Sequence, residues 1–336
     1  MMTLPTRTIG PFQVSAIGLG CMNLSHAYGE KPEPADAEAL LNRALDLGIT
    51  LLDTAALYGF GENERLVGRA VGHRRSEYTL ASKCVLDVID GKRGLDGSPA
   101  AIDRTLNAAL GRLGTDHIDL YYLHRLDRNV PVEESVGALV RAKEAGKIGA
   151  IGLSEMGAET IRRAHAVHSI AAVQTEYSPV VRNAEIAVLD TCRELGIGFV
   201  AFSPVARGLL AGGVADDRYV EGDIRAAMPR FIGEALAHNL RAVAAYDTLA
   251  AEIGCTSAQL SLAWVLSRAG HVVPIPGTRS VAHLEENVGA ASVTITPEIA
   301  ARIDAIFAAG AIRGPRYAAA MQAQIDTETF PDEELT

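Results

Sequence analysis

An aspartate and a tyrosine five residues apart are the first side chains in the sequence that could do acid–base chemistry together. Asp53 follows Leu51 and Leu52, which is the pattern of a short buried strand reaching its C-terminal end. Tyr58 then falls on a loop that precedes an amphipathic helical pattern with acids in its first turn. A phenol near a carboxylate could pass a proton to a substrate. The pair alone is equally consistent with Asp53 capping a turn and Tyr58 packing beside it.

Further polar side chains stand where the next strands would end. In chain order they are Ser82 and Lys83, His124 and Arg125, Ser154 and Glu155, Gln174 and Glu176, and Ser203. One or two such residues would be turn caps. Six successive strand ends with polar or titratable groups, counted from Asp53, predict instead a catalytic ring at one mouth of the fold.

The residue types in this ring favour carbonyl reduction. A cation at Lys83 would stabilise the phenolate of Tyr58 and lower the pKa of that phenol. Asp53 could pair with Lys83, and His124 could hydrogen-bond the reacting oxygen. A phenol that gives a proton to an oxygen gaining negative charge performs the acid step of carbonyl reduction. None of these side chains carries a hydride, so the sequence predicts an organic redox cofactor.

The stretch best suited to the phosphates of such a cofactor comes late in the chain. The segment Gly18-Leu19-Gly20 lacks the third glycine of the dinucleotide-binding fingerprint, and no G-x-x-x-x-G-K segment exists. Residues 274–280 read Pro-Ile-Pro-Gly-Thr-Arg-Ser and open a helical pattern. Backbone N–H groups at a helix start, with the guanidinium of Arg279, would make an anion site. Away from that context, Arg279 would be a solvated surface charge.

Eight apolar runs alternate with helical patterns along the chain. The predicted strands are residues 16–19, 51–53, 78–82, 119–123, 150–153, 172–175, 198–202 and 271–274. Several helical patterns end at a glycine that suits a C-terminal cap, namely Gly48, Gly146 and Gly196. Most intervals match a strand-plus-helix unit of about 30 residues. Eight such units favour a closed (β/α)8 TIM barrel over an open doubly wound sheet, and a barrel would gather the polar strand ends at one face.

Three segments depart from this repeat. Residues 7–14 contain a Gly-Pro turn and predict an N-terminal β-hairpin. Residues 203–238 have no strong period and predict a long functional loop, and helical patterns at 240–253 and 257–268 predict extra helices after it. The tail from about residue 308 is irregular. No second domain is indicated, so residues 1–336 are expected to form a single barrel domain.

Composition disfavours several classes of protein. The formal net charge of −10 argues against a nucleic acid or an anionic membrane as partner. The four cysteines form no C-x-x-C pair, and His165 and His168 have no third ligand near them in sequence, so no metal site is predicted. The N-terminus lacks an export signal and no apolar run approaches about 20 residues, so a cytoplasmic protein is expected.

These motifs resemble those of the aldo-keto reductases over nearly the whole chain. The resemblance is carried by Asp53 and Tyr58 with the following G-x-G-E-N-E, by Lys83, by the Tyr-Leu-His run ending at His124, and by segments 152–155, 174–178, 202–204 and 275–279. The branch that looks most similar is a bacterial NADPH-dependent one, related to pyridoxal reductases and potassium-channel β subunits. The resemblance implies a (β/α)8 barrel, NADPH (NADP+) as cofactor and a small-molecule carbonyl substrate.

The resemblance also implies which residues act. Tyr58 would be the proton donor, Asp53 and Lys83 would tune it, and His124 would orient the carbonyl. The implied cofactor-binding residues are Gly20, Met22, Asp53, Ser154, Gln174, Phe202, Ser203, Pro204, Gly208, Ile275, Gly277, Thr278, Arg279, His283, Glu286 and Asn287.

The resemblance also implies which of these residues would contact each part of the cofactor. Ser154 and Gln174 would hold the nicotinamide carboxamide, with Phe202 stacked on the ring. Arg279, together with Ser280 and Thr278, would grip the 2′-phosphate. The last two members of the set, at positions 286 and 287, would contact the adenine.

The substrate pocket is expected between the loop after the first strand, the long loop and the tail. Its expected lining is Asn23, Leu24, Tyr58, His124, Tyr219, Met228 and Phe231, with Met22, Tyr317 and Met321 nearby. This lining suggests an apolar or aromatic carbonyl compound. Two alternatives stay open: physiological oxidation of an alcohol with NAD(P)+, and a slow-turnover NADPH-sensing regulatory subunit. The sequence also leaves open the natural substrate, the stereochemistry and whether the protein forms a homo-oligomer.

Overall fold

The computed structural model describes residues 4–25, 27–89 and 92–335. The expected domain of 1–336 also includes residues 1–3, 26, 90, 91 and 336, which lie outside the described residues. The described chain opens with an antiparallel hairpin of Thr6–Ile9 and Phe12–Ser15, as predicted from the Gly-Pro turn. Ile9 and Val14 of this hairpin pack on the barrel interior, and Ile9 meets Gly198 at the start of a barrel strand. The hairpin therefore covers the N-terminal end of the strands.

Eight parallel strands form the central sheet, which confirms the predicted barrel. We label them in chain order β1 Leu19–Gly20, β2 Leu51–Asp53, β3 Thr79–Cys84, β4 Ile118–Leu123, β5 Ile148–Ser154, β6 Ala172–Glu176, β7 Gly198–Phe202 and β8 Val272–Pro274. Neighbours in this series are paired in parallel from β1 to β8. The N–H groups of Gly18 and Gly20 donate to the carbonyls of Pro274 and Pro276 at 3.0 and 3.1 Å, which joins the first strand to the last.

Helices follow the strands and cover the outside of the barrel. They are α1 Pro34–Asp46, α2 Glu62–Val71, α3 Pro99–Leu113, α4 Val132–Glu144, α5 Ala158–Val167, α6 Val188–Leu195, α7 Gly233–Ile253, α8 Ser257–Arg268, α9 Val281–Gly289, α10 Pro297–Ile306 and α11 Ala319–Gln322. Gly48, Gly146 and Gly196 have φ of 85°, 76° and 68°, the left-handed conformation that a helix C-terminus favours. Among the described residues no single helix is both long enough and apolar enough to cross a membrane; α7 and α8 satisfy that test only together, as a pair bent by 84°.

Two layers of apolar side chains hold the barrel together. Inside it, residues such as Leu51, Leu120 and Val200 meet along the axis. Outside it, a larger cluster packs the strands against the helices. Gly152 on β5 has no room for a Cβ atom because the ring of Tyr122 on β4 lies against it. A rigid barrel of this kind fixes the positions of its strand ends, and those ends carry the polar residues.

Two segments differ from the sequence analysis. Helix α7 begins at Gly233, inside the range 203–238 assigned to a loop, and short 3-10 turns at Ala206–Gly208, Ile224–Ala227 and Pro229–Phe231 interrupt the rest. The sequence marks this helix start weakly, because the N-cap residue is Ile232, whose side chain cannot accept a hydrogen bond. An unpredicted antiparallel hairpin, Leu86–Ile89 with Lys92–Leu95, follows β3.

Candidate active site

Asp53 and Lys83 form a buried ion pair at the C-terminal ends of β2 and β3. The two strands pair in parallel with Asp53 opposite Ala81, so Lys83 lies two residues further along β3 and its side chain reaches back. The Nζ of Lys83 donates to Oδ1 of Asp53 and, at 2.9 Å, to the carbonyl of Thr54. Lys83 is 0% exposed. The predicted pairing of the two residues is therefore present, and the carboxylate compensates a cation that water cannot reach.

The third donor contact of this ammonium brings in the tyrosine. Lys83 Nζ lies 3.2 Å from the hydroxyl of Tyr58 and 4.9 Å from the centre of its ring. The imidazole of His124, at the end of β4, meets the Tyr58 ring edge-on, with ring centres 5.9 Å apart and planes at 83°. Residues from three separate segments of the chain thus meet around the Tyr58 side chain.

Asn63, in the first turn of α2, holds the loop that carries Tyr58 in place. Asn63 is fully buried; it accepts a hydrogen bond from Thr54 Oγ1 at 2.6 Å and donates to the carbonyl of Cys21 and to Ser25 Oγ. These bonds tie the loops after β1 and β2 together. Directly after Tyr58, Gly59 turns the chain with φ of 57°. The G-x-G-E-N-E motif therefore places the phenol.

Burial and charge act in opposite directions on the Tyr58 phenol. Burial raises its pKa, the positive charge of Lys83 lowers it, and the net result is a raised pKa. The charge of Lys83 acts on this pKa in the direction that the sequence predicted, but desolvation of the phenolate outweighs the ammonium. Burial would likewise lower the pKa of Lys83, but Asp53 and Tyr58 raise it. At neutral pH the site therefore holds a neutral phenol beside a charged ammonium.

Polar groups from the next strands surround this centre. Nε2 of Gln174, on β6, donates to the second oxygen of Asp53 at 2.8 Å. Ser154 ends β5 and is buried, and Phe202 ends β7 half-buried. Amide, hydroxyl and aromatic face are what a planar heteroaromatic carboxamide would need for hydrogen bonding and stacking.

A second polar cluster lies at the start of α9. Ser280 caps this helix by accepting from the N–H of His283 at 3.4 Å, and the N–H of Ser280 donates to Thr278 Oγ1 at 3.1 Å. Arg279 is exposed beside it and donates to the carbonyl of Glu30. A helix N-terminus with a guanidinium and hydroxyls is suited to bind a phosphate.

One cavity of about 450 Å³ connects the two clusters. The sequence-predicted residues that line it are Gly20, Met22, Asn23, Asp53, Tyr58, His124, Ser154, Gln174, Phe202, Ser203, Pro204, Gly208, Ile275, Gly277, Thr278, Arg279, Ser280, His283, Tyr317 and Met321. Gly20 and Gly277 line the cavity where no larger residue would fit, because a Cβ at either would lie 2.8 Å from a neighbouring oxygen. The cavity thus joins a helix N-terminus suited to phosphate at one end to Tyr58 at the other, an arrangement that fits a dinucleotide.

Several predicted residues lie elsewhere. Lys83 sits behind Tyr58 and Asp53 and does not line the cavity. Glu286 and Asn287 lie on α9 outside the cavity wall, and the carbonyl of Glu286 accepts from Gln259. Their assigned contact with adenine stays a prediction.

Four residues predicted for the substrate pocket also lie outside its wall. They are Leu24, Tyr219, Met228 and Phe231. Leu24, Met228 and Phe231 pack in the outer core with at most a few per cent of their surface exposed, because each anchors its loop by hydrophobic burial. Tyr219 donates to the carbonyl of Phe231 at 2.9 Å and so holds the long loop together.

Other wall residues were not predicted from sequence. Leu57 and Leu86 line the cavity near Tyr58, Arg207 and Arg225 line it from the long loop, and Tyr28 lines it from the loop after β1. Leu86 belongs to the unpredicted hairpin. Arg207 could not be placed because its role depends on Glu176, whose Oε2 lies 2.7 Å from its Nη2, across 31 positions of sequence.

Comparison with known proteins gives a consistent result. The model of the aldo/keto reductase family matches residues 16–308. A curated relative from Schizosaccharomyces pombe, named aldo-keto reductase yakc with NADP(+) in its name, is 41% identical over 338 residues that cover 98% of this chain and 99% of the relative.

Two solved structures are similar over most of both chains. The glycerol dehydrogenase AKR11B4 from Gluconobacter oxydans has a TM-score of 0.82 at 25% identity and covers 98% of each chain. The holo form of the aldo-keto reductase AKR11C1 from Bacillus halodurans has a TM-score of 0.73 at 28% identity, covering 91% of this chain and 96% of that one.

Proposed function

The chain belongs to the aldo/keto reductase family of oxidoreductases, and we propose that it reduces an aldehyde or ketone to the alcohol with NADPH, using Tyr58 as proton donor. The observation that carries this proposal is the contact of the Tyr58 hydroxyl, 3.2 Å from a Lys83 ammonium that is itself paired with Asp53. That contact lies on a cavity which continues to the N-terminus of α9.

The acid step belongs to Tyr58. Because burial keeps its pKa raised, the phenol is protonated at neutral pH and has a proton to give. As the proton leaves, the phenolate that forms is stabilised by the ammonium of Lys83, which the carboxylate of Asp53 holds in place. His124, edge-on to the phenol, would donate to the same carbonyl oxygen and fix its direction.

The remaining polar residues would hold and orient the cofactor. A reduced nicotinamide, when bound, would supply the hydride. Ser154 and Gln174 would bind its carboxamide, and Phe202 would cover one face of the ring. Arg279 and the N-terminus of α9 would bind the phosphate groups. The name of the yeast relative supports NADP(H) for this site.

One structural relative is named a glycerol dehydrogenase, and that name favours a second candidate function for the same residues. In that reaction this chain would oxidise an alcohol with NADP+, and the Tyr58 phenolate would accept the proton of the hydroxyl. Microscopic reversibility assigns the same groups to both directions.

Steady-state kinetics with a panel of carbonyl compounds tests the proposal. Aromatic and aliphatic aldehydes are offered with NADPH and, separately, with NADH, and the matching alcohols with NADP+ at the same pH. We expect turnover of at least about 1 s⁻¹ for one or more aldehydes with NADPH. Turnover far below this for every aldehyde and every alcohol would contradict an enzymatic role and favour a regulatory one.

A further inference from the structure

Arg125, the residue after His124, is a buried cation in the cavity wall. It is 8% exposed, and its Nη1 donates to the carbonyl of His124 at 2.7 Å and, weakly, to Ser154 Oγ at 3.4 Å. Within residues 4–25, 27–89 and 92–335, no carboxylate lies at ion-pair distance from its guanidinium. A buried charge without a counterion is costly, so a bound anion that pairs with this guanidinium would be favoured.

Two other arginines of the same wall, the buried Arg207 and the half-buried Arg225, are paired. Arg207 contacts Glu176 at 2.7 Å, and Arg225 contacts Asp223 at 2.7 Å. Both ion pairs lie within the protein, so a carboxylate of the protein already neutralises each of these guanidinium groups. Arg125 therefore differs from them in the one respect that matters for a ligand: its charge is uncompensated.

The acidic residue of the cavity wall does not balance Arg125 either. Asp53 is already engaged by Lys83 and by Gln174. The positive charge of Arg125 acts on the reaction centre. Burial raises the pKa of the Tyr58 phenol, and the charge of Arg125 is one of those that lower it. The end of the cavity near Tyr58 thus carries surplus positive charge beside apolar walls.

We propose that Arg125 binds a carboxylate of the substrate, so that the preferred carbonyl compounds of this protein are aldehyde or keto acids. The proposal rests on the proposed function and names its substrate class. A guanidinium presents two parallel N–H groups to the two oxygens of a carboxylate, and one unpaired positive charge matches a monoanion. Leu57 and Leu86 on the same wall would contact the carbon skeleton between carboxylate and carbonyl.

The test compares each of 2-, 3- and 4-carboxybenzaldehyde with its methyl ester, using the full chain and NADPH. We expect at least one acid to exceed its ester in kcat/KM by about tenfold or more, as for a charge-assisted hydrogen bond. In Arg125→Met this ratio of acid to ester should fall by about tenfold or more. Effects of the substitution that touch both substrates alike cancel in the ratio.

Arg128→Met is the matched control. This arginine lies three residues further on the same loop, is 61% exposed, pairs with Asp326 and does not line the cavity. Its substitution should leave the ratio unchanged. The proposal is overturned if no acid exceeds its ester in the unsubstituted protein, or if the preference survives in Arg125→Met. The comparison of acid with ester in the unsubstituted protein tests the proposal even if Arg125→Met does not fold.

Failure of the proposed function has a different signature. If the protein reduces none of the six compounds and turns over no aldehyde or alcohol of the wider panel, the proposed function fails, and calorimetric binding of isophthalate decides the role of Arg125 separately. Binding that is tighter than that of dimethyl isophthalate, and that weakens about tenfold or more in Arg125→Met, would support the carboxylate site. Equal binding of acid and ester would overturn it.

Discussion

At the scale of single residues, burial affects Tyr58 and Lys83 differently. Burial keeps the phenol of Tyr58 neutral, whereas the ion pair with Asp53 keeps the ammonium of Lys83 charged despite its burial. Tyr58 retains its proton because the phenolate is poorly solvated, and Lys83 retains its charge because Asp53 is bonded to it. The identity of these residues and their meeting could be predicted from the sequence. The net direction of the Tyr58 pKa could not, because desolvation depends on packing that residue types do not specify.

Arg279 carries a prediction at this scale. Its guanidinium is exposed at the N-terminus of α9, where a 2′-phosphate would gain a charge-assisted contact. Arg279→Ala should therefore weaken NADPH binding by about tenfold or more and NADH binding much less. Titration of cofactor fluorescence measures both affinities. Arg302→Ala, which removes an exposed arginine of α10, is the control, and NADPH affinity that is unchanged in Arg279→Ala would remove the assignment.

At the scale of elements, the periodicity of apolar residues predicted the repeating strands and helices, but it did not predict the segments that depart from that repeat. The eight strands were found because each is a short apolar run between helical patterns, and their observed bounds differ by a few residues at most. The hairpin after β3 was missed although the sequence has Asp90-Gly91 between its two strands, a strong turn signal in a hairpin. Its second strand, Lys92-Arg-Gly-Leu, has only one apolar residue in four and so lacks the apolar run that marks the barrel strands.

Two loops form a clasp over the cavity, which we define as residues 27–30 after β1 and 219–225 after β7. The N–H of Gly29 donates to Asp223 at 3.0 Å, and the N–H of Ile224 donates to the carbonyl of Ala27 at 3.0 Å. The guanidinium of Arg225 lies 5.3 Å from the centre of the Tyr28 ring. Contacts this few can open locally without unfolding the barrel.

The clasp predicts a kinetic effect of one substitution. Arg225→Met should remove the contacts of Arg225 with Asp223 and with the rings of Tyr28 and Tyr219, so that the loops separate more often. We expect the rate of NADPH release, measured by stopped-flow fluorescence, to rise about tenfold. Arg218→Met, an exposed change in the same loop, is the control. An unchanged release rate in Arg225→Met would show that the clasp does not retain the cofactor.

At the scale of the whole molecule, a buried network ties the C-terminal tail to the barrel. Glu176, at the end of β6, accepts from Arg207 at 2.7 Å, from Tyr317 at 2.9 Å and from Arg316 at 3.3 Å. Arg316 also donates to Glu155 at 3.1 Å. The tail thereby returns to the strand ends and places Tyr317 in the cavity wall.

This network makes stability depend on pH in a definite direction. Burial alone would raise the pKa of Glu176, but the charges of Arg207 and Arg316 lower it to about 2, below its ordinary value of 4.5. Because the folded-state pKa is the lower one, the carboxylate stabilises the fold above pH 4.5, and that contribution is lost as the pH falls toward 2. Substitution of Glu176 should therefore matter most at neutral pH.

Glu176→Gln should lower the free energy of unfolding at pH 7 by about 3 kcal/mol, because it leaves the buried Arg207 without its counterion and leaves Arg316 with Glu155 alone. The difference from the unsubstituted protein should narrow as the pH falls below about 4.5. Urea unfolding at several pH values measures this. Glu133→Gln, which removes a surface ion pair with Arg163, should have little effect at any pH. A Glu176→Gln protein as stable as the original at pH 7 would contradict the role of the network.

The sequence predicted the barrel and the residues around Tyr58 for a common reason. Parallel strands bring their C-terminal ends together whatever the distance between them in the chain, so the fold itself predicts which side chains meet. The tail could not be predicted in this way. Arg316 reaches Glu155 across 161 positions through no repeating pattern, and only the folded chain reveals which residues meet there.

The most direct test of the central claim is Tyr58→Phe, which removes one hydroxyl and leaves the ring beside His124. Aldehyde reduction and NADPH affinity are measured on the same preparation, with Tyr78→Phe, a buried tyrosine outside the cavity, as control. The predicted result is a fall in kcat of about a hundredfold or more with NADPH affinity changed by less than about twofold. Reduction that persists within about tenfold of the original, or a loss of NADPH affinity as large as the loss of kcat, would contradict Tyr58 as the proton donor.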